Sequence, residues 1–245
     1  MEKSATIQDQ INDLDEEVEI PKVKRIITGV FGIGVWVLFY YLYLRPRIIF
    51  PNIDDYSYVG KVFFGLGWYI LCFGGPVLIS FLLPLHFKPK DLKIRIPKID
   101  PILTLKIIAI VFVANFMISW VITILYERGG TVISDEDPFI PPQIAYLFLI
   151  LILAPFFEEI FFRGMFITFG NRLFKKKYTY IISAVLFGFV HITTSFYVGV
   201  IAFIGALMYS FQRELDNSII PCMISHFLWN LAVVIFPYYP TLDFL

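Results

Sequence analysis

The sequence predicts an all-α fold, a polytopic membrane helical bundle of about seven transmembrane helices. Three observations carry this. Of the 245 residues, 58% are hydrophobic and 16% charged, against about 45–50% and about 25% in soluble domains. The apolar residues fall into runs long enough to cross a hydrocarbon core. Those runs lack strict alternation, so helices rather than a barrel must satisfy their backbone hydrogen bonds. The formal net charge is zero, so the expected partner is the lipid bilayer and no nucleic acid.

The elements follow in order. Residues 1–25 read as an acidic cytosolic N-terminal tail. Lys22, Lys24 and Arg25 then abut a first span at about 26–44. No cleavable signal peptide is expected, because the first apolar run starts at Ile26 behind a polar lead. A second span runs over about 62–86 and contains Gly74-Gly75-Pro76, a kink signal. Asp100-Pro101, an N-cap followed by proline at N1, leads into a third at about 107–126. The fourth starts after Pro141-Pro142 and continues to about Gly170. The fifth, sixth and seventh fall at about 178–196, 198–212 and 219–237. Ala202, Ala206 and Ser210 give the sixth a small-residue stripe suited to close packing. Cys72 and Cys222 lie within apolar runs and read as small buried side chains. The C-terminal Leu242-Asp243-Phe244-Leu245 has no prenylation cysteine. The domain division expected is N-terminal transmembrane helices over 26–130 and a core over 131–245.

Orientation follows from the cations. Lys22, Lys24 and Arg25 precede the first span; Lys88, Lys90, Lys93, Arg95 and Lys98 follow the second, with Lys106 beyond. Arg172, Lys175, Lys176 and Lys177 follow the fourth, and Arg213 the sixth. These alternate connections are expected in the cytosol. The opposite set is poorer, although Arg45, Arg47 and Lys61 in the first outer loop run against the trend. The expectation is a multi-pass protein of the cell membrane, N-terminus cytosolic and C-terminus outside.

Several residues do not belong in lipid. A charge at a helix centre costs about 2.5–3.5 kcal/mol on insertion scales. The fourth span nevertheless carries Glu158, Glu159 and Arg163, the fifth His191, and the seventh His226 and Asn230. At about 1.5 Å per residue, Glu158 lies roughly 18 Å from the edge at Gly170, and His191 about 20 Å from Tyr178. His226 and Asn230 lie about 11 and 17 Å from Ile219. The depths overlap. Glu159 and Arg163 are four apart and predict an ion pair within one helix. Glu158 is rotated about 100° from Glu159, so the two carboxylates are expected to point apart and to differ in role. Singly, each polar residue reads as neutralisation or interhelical hydrogen bonding. A carboxylate, two imidazoles and an amide at one depth are costly to assemble for packing alone, and point to a functional site.

These residues resemble the three ordered motifs of the CPBP family, the CAAX-protease and bacteriocin-processing membrane proteins that include type II CAAX prenyl endopeptidases. The motifs are Glu158-Glu159-x-x-x-Arg163, Phe187-x-x-x-His191 and His226-x-x-x-Asn230, the last approached through Leu215-Asp216-Asn217-Ser218-Ile219-Ile220-Pro221. The resemblance covers about residues 140–237. It implies an intramembrane endopeptidase whose substrate is a membrane-associated protein or peptide precursor. Glu158 would activate water, His191 would help hold it, and His226 and Asn230 would stabilise the oxyanion. Glu159 and Arg163 would support the first motif. No cofactor is firmly predicted. Zinc stays open, with Glu158, His191 and His226 as its ligand types, although the HExxH pattern is absent. Two other readings stay open as well: a non-enzymatic bacteriocin self-immunity or scaffold protein, and a proton-coupled transporter using buried Glu and His.

Overall fold

The computed structural model describes residues 21–46, 50, 52, 58–97, 99–127, 147–192 and 195–235. The acidic lead up to residue 20, Arg47, Lys98, Arg128, Pro141-Pro142 and the C-terminal Leu242–Leu245 lie outside the described residues. Among those described there is no strand, and seven helices follow one another. They are α1 (Lys22–Leu44), α2 (Tyr58–Leu82), α3 (Pro101–Glu127), α4 (149–173), α5 (Lys176–His191), α6 (Phe196–Asp216) and α7 (Ile220–Ile235). Stretches of α1, α2, α3 and α6 are long and apolar enough to cross a membrane. α5 and α7 each have only 16 residues, about 24 Å of rise. The chain is a helical membrane bundle.

Local chemistry sets the helix ends. α2 stops at Leu82 rather than near residue 86, because Leu83 precedes Pro84 and the residue before proline is pushed out of the helical region. α5 ends at His191 and not near 196, because Ser195 caps the next helix: its hydroxyl accepts from the Val198 N–H at 3.3 Å. α6 runs on to Asp216 and closes with Asn217 in the left-handed conformation, φ 47°. At α3, the Asp100 carboxylate accepts from the Ile102 N–H at 2.8 Å.

α4 is not one regular helix. Residues Leu149–Leu153 and Glu159–Phe166 are π-helical; Ala154–Glu158 and Ile167–Leu173 are α-helical. The first π turn has a cause in the sequence. Pro155 has no N–H to give the carbonyl four residues back, and the Ala154 N–H instead reaches five residues back to Leu149. Such bulges concentrate at functional sites.

An aromatic core fixes α1 and α2 on α4. Trp36 is buried and stacks on Phe161 and Tyr40 at 4.7 and 4.8 Å between ring centres. Its indole N–H donates to the Phe161 carbonyl at 3.1 Å, inside the second π segment. The Tyr40 hydroxyl donates to the Leu186 carbonyl of α5 at 2.8 Å. α5 lies close on α6: a Cβ on Gly188 would sit 2.8 Å from the Gly199 carbonyl oxygen. The free cysteines Cys72 and Cys222 are both buried. One end of the bundle gathers the basic connections. There the Arg25 guanidinium donates to the Asn171 carbonyl, Arg172 donates to the carbonyls of Leu85 and His86, and Lys176 pairs with Glu214.

Gly32 lets α1 settle against α4, since a Cβ there would lie 2.2 Å from the Phe169 ring, and Phe169 is fully buried. Gly34, two residues on, has no atom within 4 Å of its would-be Cβ. Overpacking costs about 1–3 kcal/mol. Gly32→Ala should therefore lower the thermal midpoint of the detergent-solubilised protein, and Gly34→Ala should leave it unchanged or raise it.

Candidate active site

The second π segment of α4 brings its polar side chains onto α7. Glu159 and Arg163 are both fully buried, and the guanidinium Nη1 donates to Glu159 Oε1 at 3.1 Å. The same oxygen meets Nδ1 of His226 at 3.0 Å. A carboxylate oxygen accepts, so Nδ1 carries a proton toward Glu159, and Nε2 lies on the opposite side of the ring. Nε2 faces Glu158 Oε2 at 3.9 Å. One imidazole thus spans both glutamates. The sequence expectation that they point in separate directions assumed a regular α-helix. The π segment that begins at Glu159 reduces the angle between successive residues, and the ring of His226 is wide enough to meet both.

Burial makes this cluster electrostatically strict. Glu158 and His226 are only 6% and 4% exposed. Arg163 Nε and Nη2 have no hydrogen-bond acceptor among the described residues. Aromatic faces surround the guanidinium instead: Phe187 at 4.6 Å, Tyr209 at 5.4 Å and Phe162 at 5.9 Å. Such contacts are worth about 2 kcal/mol when desolvated. Tyr209 also stacks on His226, with centres 5.5 Å apart, and accepts from the Asn115 amide of α3 at 3.2 Å.

Glu158 has a partner that the sequence reading missed. Tyr69 of α2 donates its hydroxyl to Glu158 Oε1 at 2.6 Å. Oε2 has no hydrogen bond among the described residues. The signal in the sequence was a tyrosine within an apolar run. Next to Trp68 it reads as part of an interfacial aromatic belt, and nothing in the spacing ties it to Glu158.

The remaining residues sit as follows. His191 forms the last turn of α5; its Nδ1 donates to the Phe187 carbonyl at 2.8 Å, which leaves Nε2 as the acceptor. The Phe187 ring contacts both imidazoles, with centres 4.7 Å from His191 and 5.8 Å from His226. Asn230 makes its hydrogen bond outside the carboxylate–imidazole cluster. Its amide donates to the Ile150 carbonyl at 2.7 Å, in the first π turn of α4. Among the described residues, no three His, Cys, Asp or Glu side chains form a group able to hold a metal ion.

Removing one partner of a buried ion pair costs about 3–5 kcal/mol, because the other charge is left uncompensated. Arg163→Ala should lower thermal stability by that order in detergent. Adding Glu159→Gln to it should recover part of the loss, since the stranded charge is then gone.

Residues 140–232 match the sequence model of the family described as Type II CAAX prenyl endopeptidase Rce1-like. No curated protein and no solved structure matches the chain. The matched segment is less than half of the sequence, but it contains Glu158, Glu159, Arg163, His191, His226 and Asn230. Over these residues the chain is similar to the type II CAAX prenyl endopeptidase family of the Rce1-like kind.

Proposed function

We propose that the protein is an intramembrane endopeptidase that hydrolyses a peptide bond of a membrane-associated protein or peptide with water activated by Glu158. One observation carries the reading: Glu158 Oε2 and His226 Nε2 face each other 3.9 Å apart in a buried site. That is longer than a direct hydrogen bond, and a water molecule at about 2.8 Å can reach both atoms. His191 Nε2, with Nδ1 committed to Phe187, supplies a further acceptor for such a water.

The steps balance without a further reagent. Glu158 takes a proton from the water as its oxygen bonds to the scissile carbonyl carbon. The carbonyl oxygen becomes the oxyanion. His226 enters the step with a proton on each ring nitrogen: Nδ1–H stays on Glu159, and Nε2–H donates to the oxyanion. Asn230 gives one amide hydrogen to Ile150 and keeps the second for the oxyanion. Collapse breaks the C–N bond, and the proton on Glu158 passes to the leaving amine. In this reading 131–245 is the catalytic core and 26–130 the helices that enclose it. The end carrying Arg25, Arg172 and Lys176 lies in the cytosol, with the N-terminus on that side and the C-terminus outside. The family description points to a prenylated CAAX peptide as the first substrate to try.

General acid–base groups contribute about 10²–10⁴-fold. Glu158→Gln, reconstituted in vesicles with a membrane-anchored prenylated peptide, should lose cleavage by about that factor while its thermal midpoint stays near that of the unaltered protein. Undiminished cleavage by folded Glu158→Gln would remove Glu158 from the mechanism.

A further inference from the structure

We infer that Tyr69 is a positioning residue for the carboxylate of Glu158, so that a helix outside the family-matched segment completes the active site. The inference rests on the reading of Glu158 as the base. Tyr69 belongs to α2, and the segment that matches the family begins only at residue 140. The hydroxyl–carboxylate distance of 2.6 Å is in the range of charge-assisted O–H···O⁻ bonds. Both partners are buried, Tyr69 at 7% and Glu158 at 6% exposure, so little water competes for the bond.

The geometry gives Tyr69 a specific task. A glutamate has three side-chain torsions, and its terminal torsion is broad. With no fixed partner, Glu158 could present either oxygen, or neither, to His226. Tyr69 takes Oε1 and leaves Oε2 as the oxygen turned to the His226 ring. The tyrosine is itself braced. Its ring packs against Phe73 at 4.5 Å and against Tyr43 of α1 at 6.1 Å between centres. Phe73 in turn meets Phe161 of α4 at 5.0 Å. α1 and α2 therefore hold the hydroxyl against α4 through a continuous aromatic wall. Alternative roles are weaker. A buried tyrosine needs some hydrogen-bond partner, but satisfying it with the proposed base, at this distance, places the bond on the reacting group.

The test is Tyr69→Phe, which keeps the ring contacts and deletes only the donor. Hydrogen bonds to charged groups are worth roughly 10- to 100-fold. Cleavage of the vesicle-presented prenylated peptide should lose that factor in kcat, with KM unchanged and the thermal midpoint retained. In a Glu158→Gln background the same substitution should have no further effect on the residual rate. An unaltered kcat overturns the inference, and so does a rise in KM alone, which would make Tyr69 a substrate contact. If Tyr69→Phe does not fold, fluorotyrosine placed at position 69 alone reports the bond by fluorine NMR. Its resonance should move on Glu158→Gln; an unmoved resonance overturns the inference. Loss of activity in Glu158→Gln with full activity in Tyr69→Phe would sink this inference alone. Full activity in Glu158→Gln would sink the proposed function instead.

Discussion

The structure depends on one shared carboxylate oxygen. Glu159 Oε1 accepts from Arg163 at 3.1 Å and from His226 Nδ1 at 3.0 Å, with all three side chains buried. In a low-dielectric interior neither the glutamate nor the arginine is tolerable without the other, and the imidazole is held in orientation by the pair. This junction ties α7 to α4 at one point. His226 can face Glu158 only because Glu159 holds its other nitrogen.

The irregularity of α4 is part of the same arrangement. Two π segments flank the short α-helical stretch that ends at Glu158. The first is occupied by the Asn230 amide, which bonds the Ile150 carbonyl. The second is occupied by the Trp36 indole, which bonds the Phe161 carbonyl. Backbone that departs from the α-helical register in an apolar protein needs partners from elsewhere, and the neighbouring helices supply them. α1 and α7 are thus fastened to α4 on either side of the glutamates.

The aromatic content has a related use. Phe162, Phe187 and Tyr209 cover a guanidinium that no second carboxylate pairs among the described residues. Trp36, Tyr40 and Phe161 stack where α1 meets α4. Tyr43, Tyr69 and Phe73 extend this wall to Glu158. Aromatic rings provide large contact area with few torsions to immobilise, which suits a site whose hydrogen bonds must keep their geometry without help from water.

Composition alone determined the class of fold, because an excess of apolar residues in span-length runs leaves helices as the way to satisfy the backbone. Spacing alone determined that Glu159 and Arg163 share a face, since residues four apart on any helix are neighbours. The ordered motifs determined the family resemblance. Three things were decided only by tertiary structure. Glu158 and Glu159 meet one imidazole because α4 turns π-helical at Glu159, a register change that depends on partners from α1 and α7 rather than on local propensity. α5 stops at His191 because Ser195 caps the following helix, and an apolar run does not reveal where its backbone breaks. Tyr69 reaches Glu158 from 89 residues away in the chain, a contact made by helix packing, for which neither composition nor periodicity carries a signal.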